Sequence, residues 1–366
     1  MTQIPEPWQW KIHPNRQNCH LGLTKCTRFG IVITIQLTRV PSASMRQFLR
    51  FFQKPLPLCA LGVTLLSGNL NAQESYVAVE AHSGKVLLEL NADTKRPVAS
   101  LTKVATALVI LDWAKLSGTS MSTYATVPQE AAYLGGSNPM ALAAGDQITL
   151  REAMYSMMLG SDNVAALTLA DHAGRSIMAR GSRAHTPVAA FVTEMNNLAH
   201  ALGMTRTQFA NPHGMDTAQQ KGTSTARDMA ALSIYAMRNT GFQYYVKQKS
   251  RTISSTRLGQ KRAFSVKNTH NLISQMGING IKTGTTVLAG PCLATSAQKA
   301  NIVQKMPNGS TRLTPRRLII ICLGSPDRDA RTKQLIQQAW PLYDNWMAQG
   351  RPTQNIKREI ISVPKF

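Results

Sequence analysis

From Tyr76 to Ala92 the chain reads "YVAVEAHSGKVLLELNA", two alternating apolar runs around a polar His82-Ser83-Gly84-Lys85 break. Period-two alternation on both sides of a Ser-Gly turn predicts a β-hairpin. The period then changes. From Ser100 to about Leu116 apolar residues dominate a helix-like run. A polar loop follows, and "TLREAMYSMMLGSDNVAALTLADHAG" predicts two helices. Thr149 and Glu152 form a capping box for the first; the second starts near Ser161 and ends before Gly174. "PVAAFVTEMNNLAHALGM" and "TARDMAALSIYAMRN" predict two more amphipathic helices. After Ser250 the runs are shorter and richer in branched residues. "GINGIKTGTT", "PCLATSAQKA" and "RRLIIICLGS" predict strands, and "ARTKQLIQQAWPLYDNWMAQ" closes as a helix.

The order is strands, helices, strands, helix. It predicts an α+β fold: one antiparallel sheet of about five strands built from both ends of the chain, with a helical region (about 104–250) inserted. Residues 73–350 are read as one catalytic-sized domain and 351–366 as a short C-terminal tail.

The N-terminal part reads differently. From Met45 the sequence carries Arg46, Arg50 and Lys54, then a short apolar stretch from Pro55 to Leu66, then Leu70-Asn71-Ala72. That is the layout of a secretory signal peptide over 45–72, too short for a spanning helix. Residues 1–44 are then read as a mis-annotated extension. Cys59 follows Leu58, which is too large for the usual lipoprotein site.

The formal charge is +23. Removing residues 1–72 takes away 8 basic and 1 acidic residues and leaves +16. The excess is spread along the chain, with no zinc-finger spacing, aromatic nucleic-acid motif or basic recognition helix, so no nucleic-acid partner is expected. A basic exported protein suits an anionic cell envelope, with peripheral association at most. Of five cysteines only Cys292 and Cys322 would survive processing; they would either pair in an oxidising compartment or stay as two buried thiols. No metal-ligand spacing exists, and neither a metal nor a cofactor is expected.

The chemistry gathers in three short motifs. Ser100-x-x-Lys103 opens the apolar helix. Chance alone supplies about one such match in this chain, and Ser296-x-x-Lys299 and Ser362-x-x-Lys365 are read as that noise. Ser161-Asp162-Asn163 stands at the mouth of a later helix. Lys282-Thr283-Gly284 lies on a strand. Each has a plainer reading: Ser100, Ser161 and Asn163 as helix caps, Lys103 as a solvated charge. The ordered set is what gives them weight.

This set resembles the penicillin-recognising serine acyltransferases, meaning penicillin-binding proteins and class A β-lactamases. Segments such as "SGKVLLELNADTKRPVASLTKVATALVIL" and "ALGMTRTQFANPHGMD" are similar to low-molecular-mass D-alanyl-D-alanine carboxypeptidases. The resemblance implies a β-lactamase/transpeptidase-like fold and an exported, periplasmic or cell-envelope enzyme. It would cleave peptidoglycan pentapeptides and be inhibited by β-lactam antibiotics. Ser100 would be the nucleophile and Lys103 its general base, made neutral by burial and by a second cation, Lys282. Ser161 would relay a proton, and Asn163 would orient Lys103 and the substrate amide. Lys282 and Thr283 would bind the terminal carboxylate, aided by Arg328, whose register is ambiguous with Arg331. Thr285 and Ser100 would supply oxyanion N–H groups. Gly284 would let substrate lie along the strand as an added β-strand. His213, in "NPHGMD", is read as structural.

Two departures matter. Val287 and Leu288 stand where many relatives carry an acidic pair. A class A β-lactamase also needs a hydrolytic Glu-x-x-x-Asn. Between Asn163 and Lys282 the carboxylates are Asp171, Glu194, Asp216 and Asp228, and Glu194 is followed at +4 by Leu198. The other readings are a D-Ala–diamino-acid endopeptidase and a wall-binding module without activity.

Overall fold

The computed structural model describes residues 74–217 and 221–364. The expectations for residues 1–72 lie outside them. β1 (Ser75–Glu80) and β2 (Val86–Leu90) form the first hairpin. With β7 (Ile278–Thr286), β8 (Gly290–Lys305) and β9 (Thr311–Leu323) they make an antiparallel sheet in the order β2-β1-β9-β8-β7. Val77 lies opposite Ile321, so the two ends of the chain meet at the centre of the sheet.

The sequence explains why β9 is apolar at every position from Leu318 to Leu323. Successive side chains point to opposite faces, and both faces are covered. Val77, Val79, Ile319 and Ile321 join the larger core with helices α1 (Lys103–Ser117) and α5 (Ala226–Ala236). Ala78, Leu318, Ile320 and Cys322 pack under Leu335, Ile336, Ala339 and Tyr343 of α7 (Arg328–Ala348).

This alternation also decides the cysteines. Cys322 pairs in register with Leu293, so its neighbour Cys292 faces the other side of the sheet. The two thiols sit in different cores and remain free.

Between the sheet's two halves lie α2 (Leu150–Leu159), α3 (Asn163–Ala179), α4 (Pro187–Ala201) and α6 (Thr240–Val246). Their starts follow local chemistry: Thr149, Asp162, Thr186 and Asn239 each accept a backbone N–H from three residues on. The expected end of α3 before Gly174 is wrong. The helix runs through it, and Gly174 is small for a different reason: a Cβ there would lie 1.9 Å from the Pro187 carbonyl oxygen where α4 begins.

The inserted region is not purely helical either. β3 (Tyr124–Thr126) and β4 (Gln147–Thr149) join β5 (Ser250–Arg257) and β6 (Gln260–Lys267) in a second sheet, ordered β3-β4-β5-β6. Two of its strands have three residues each, too few for alternation to register. The tail carries a short helix, α8 (Ile356–Glu359), and returns to the first hairpin, where the Ile361 N–H donates to the Gly84 carbonyl at 2.8 Å.

Candidate active site

Ser100 lies in a 3₁₀ turn, Ala99–Thr102, that runs straight into α1. The residue before it, Ala99, holds φ at 49°. Two glycines clasp this strained turn. A Cβ on Gly214 would fall 2.0 Å from the Ala99 carbonyl oxygen, and one on Gly284 would fall 2.9 Å from the Ser100 nitrogen. The expectation gave Gly284 a different purpose, room for substrate along the strand. Its absent side chain also makes room for the serine's own backbone.

Lys103 follows one turn later and has no solvent exposure. Its Nζ is 2.9 Å from Ser100 Oγ, 2.7 Å from Asn163 Oδ1 and 2.7 Å from the His213 carbonyl oxygen. Burial lowers its pKa to about 7, against the opposing pull of Asp162. Two of its three partners only accept hydrogen bonds. They take two N–H groups of the neutral amine, which leaves its lone pair for the one partner that can donate, the Ser100 hydroxyl. His213 was read as structural; its carbonyl is one of these two acceptors. Its ring is buried and, with Lys103 beside it, stays neutral down to about pH 3.

The second motif opens α3. Asp162, which the sequence reading passed over, is the cap: its Oδ1 accepts the Ala165 N–H at 3.0 Å, and its Oδ2 accepts the Ser156 hydroxyl at 2.6 Å. Burial raises its carboxyl pKa. Capping by Asp162 points Asn163 at Lys103, while Asn163 Nδ2 donates to the Gly135 carbonyl at 3.0 Å. Ser161 sits half-buried at the cleft with φ 60°.

The third motif is on β7, an edge strand. Lys282 is 1 % exposed and donates to the Thr283 carbonyl at 3.0 Å. Its pKa lies well below the ordinary lysine value, through burial first and then the positive Lys103 and Arg328. Thr283 Oγ1 pairs with Thr269 Oγ1 at 2.6 Å. Arg328, the first residue of α7, donates through Nη1 to the Gly284 carbonyl, Thr285 Oγ1 and the Cys292 carbonyl at 2.8, 2.9 and 3.1 Å. Arg331 turns away and bonds Glu74 at 3.0 Å, so the register question falls to Arg328.

Ser100, Ser161, Asn163, Thr283, Gly284, Thr285 and Arg328 line one cleft of about 530 Å³, with Lys103 and Lys282 buried beneath. Thr269, Met215 and Asp216 also stand on its walls, and the reading gave them no role: Met215 and Asp216 end the quoted segment "NPHGMD", whereas Thr269 belongs to no motif and only the fold brings it there.

The D-alanyl-D-alanine carboxypeptidase profile matches residues 66–304. The chain belongs to this family. It is 33% identical over 234 residues to the D-alanyl-D-alanine carboxypeptidase DacC of Escherichia coli, covering 62% of this chain and 54% of that one. It is 30% identical over 226 residues to a D-alanyl-D-alanine endopeptidase of Pseudomonas aeruginosa, covering 61% and 66%. The chain thus spans about half the length of the curated carboxypeptidase it matches. Its fold is that of the Streptomyces K15 DD-transpeptidase, with a TM-score of 0.60 at 28% identity over 73% of this chain and 96% of that one. No helix among the described residues is long and apolar enough to cross a membrane.

Proposed function

We propose that this chain is an exported serine D-alanyl-D-alanine carboxypeptidase that acts on peptidoglycan stem peptides in the cell envelope and is acylated by β-lactams. The single observation that carries the reading is the buried Lys103 amine, 2.9 Å from Ser100 Oγ and held by two acceptor-only partners. A cap followed by a solvated lysine would have no such arrangement.

The chemistry then runs through this chain's own groups. Lys103 takes the Ser100 proton as Oγ attacks the penultimate D-Ala carbonyl. The N–H groups of Ser100 and Thr285 receive the oxyanion; such a donor is typically worth about 10²–10³ in rate. The C–N bond breaks, Ser161 passes a proton to the departing D-alanine, and water hydrolyses the acyl-serine. Thr283, Thr285 and Arg328 receive the terminal carboxylate, with Lys282 beneath them donating to the Thr283 carbonyl. Asn163 holds the substrate amide as well as Lys103.

The test is intact mass after incubation with benzylpenicillin. A long-lived adduct that Ser100→Ala abolishes is expected. Rapid turnover would point to a β-lactamase, and no adduct would leave a binding module. The endopeptidase relative supports a second reading, in which the same residues cut a D-Ala–diamino-acid cross-bridge. Product analysis on cross-linked muropeptides separates the two.

A further inference from the structure

Among the residues that line the cleft, one is acidic. Asp216 stands three residues beyond His213, on the loop that covers Lys103. Its Oδ2 accepts a hydrogen bond from Thr286 Oγ1 at 3.0 Å. Its Oδ1 accepts none among the described residues. Just past Thr286 come Val287, fully exposed, and Leu288, half-exposed, with Met215 also on the wall. An apolar slope therefore leads to a carboxylate.

The strand decides which part of a substrate arrives there. β7 runs from Ile278 to Thr286 and is the free edge of its sheet. A peptide added to it antiparallel, with its carboxylate at Thr283 and Arg328, has its scissile carbonyl beside Thr285. Its preceding residue then passes Thr286, Val287 and Leu288. That residue is the one before D-Ala-D-Ala.

Resting on the catalytic reading above, we infer that Asp216, Met215, Val287 and Leu288 form a subsite for an aliphatic side chain ending in a free amine, carried by the residue before D-Ala-D-Ala. The methylenes lie on the apolar slope, and the ammonium meets Asp216 Oδ1. Lysine and diaminopimelate share this chemistry. Lys221 is the cation already in the field of Asp216, so the subsite competes with it and weakens at high salt. The absence of the acidic pair at Val287 and Leu288 leaves Asp216 as the group that reads this charge.

The experiment compares kcat/KM for Nα-acetyl-L-Lys-D-Ala-D-Ala, its meso-diaminopimelyl counterpart and the Nα,Nε-diacetyl peptide, in the wild-type chain and in Asp216→Asn. Asparagine still accepts the Thr286 hydroxyl, so the loop keeps its anchor. The wild type is expected to prefer the free amine about tenfold, with the difference mainly in KM and smaller at 0.5 M salt. Asp216→Asn is expected to bring the ratio close to one. A preference for both free-amine peptides assigns the ammonium alone; for the diaminopimelyl peptide only, it assigns the subsite to that amino acid. Benzylpenicillin acylation separates the failures. Normal acylation with no preference, or a preference that survives Asp216→Asn, overturns the subsite alone. No acylation at Ser100 overturns the catalytic reading and the subsite with it.

Discussion

The Cβ that Gly284 lacks would fall 2.9 Å from the backbone nitrogen of Ser100, 3.1 Å from Ala99 Cβ and 3.1 Å from the Val98 carbonyl oxygen. The strand of the third motif thus presses directly on the turn of the first. Gly284→Ala should push the turn off the strand and misplace both the nucleophile and its N–H. Misplacement near 1 Å costs about 10² in rate. We expect β-lactam acylation to slow about a hundredfold, with the melting temperature lowered by only a few degrees. Acylation within threefold of wild type would show that the turn does not depend on this contact.

Lys103 titrates at about pH 7 and acts as a base only when neutral. Raising the pH through 7 deprotonates it, so the acylation rate should rise about fivefold from pH 6 to 7, reach about tenfold by pH 8 and level off above that. Asp162 favours the charged form of Lys103. Asp162→Asn keeps a capping side chain and removes that charge, so the rising limb should move to lower pH. A limb that stays in place would mean that another group sets it.

Arg328 and Arg331 lie one turn apart on α7 but act in different places. Arg328→Leu should raise KM for a D-Ala-D-Ala tripeptide about tenfold, in keeping with a charged hydrogen bond to a carboxylate. Arg331→Leu removes a partly exposed pair with Glu74, worth about 0–1 kcal/mol of stability, and should leave KM unchanged. Equal effects on KM would refute the assignment of Arg328 to the cleft.

Gly174→Ala places a methyl carbon 1.9 Å from the Pro187 carbonyl oxygen. Backbone lies against it, so α3 and α4 must separate. Overpacking of this kind costs about 1–3 kcal/mol. Denaturant titration should show the loss, with acylation of the surviving native fraction unaffected.

Much of this was legible beforehand. The three motifs are legible as an ordered set: polar residues at a helix mouth are ordinary caps on their own, and it is their place between a lysine in an apolar helix and a glycine in a strand that singles them out. The five-stranded sheet follows from alternation and from the apolar run at the end of β9. What stayed hidden is what only distant packing creates. Gly174 looks like a helix stop until Pro187 arrives beside it. The His213 carbonyl is a backbone atom, which no side-chain pattern reports. Asp162 was obscured by standing between two more conspicuous residues. Three-residue strands such as β3 and β4 carry too little pattern to see.

His213 and His270 are buried, and both titrate near 3: His213 through burial and Lys103, His270 through burial, Lys282 and Arg328. An unfolded imidazole titrates near 6.5. Between those values the unfolded chain binds more protons than the folded one. The stability these groups supply is complete above pH 6.5 and is lost as pH falls toward 3. We expect a melting temperature that holds from pH 8 to 6.5 and then declines, with a shallower decline in His270→Asn. An unchanged slope in that variant would place the acid sensitivity elsewhere.

The meeting of Val77 with Ile321 at the centre of the sheet has a consequence in time. Ser100 and Lys103 leave the ribosome early, but the strand that grips their turn and the arginine that faces it come near the end of the chain. Until β7, β8 and β9 have joined β1, the serine has no Gly284 to rest on and the lysine no closed interior to strip it of its proton. A chain that still lacks these strands is chemically silent. Reactivity arrives late and all at once, when strands far apart in sequence have paired.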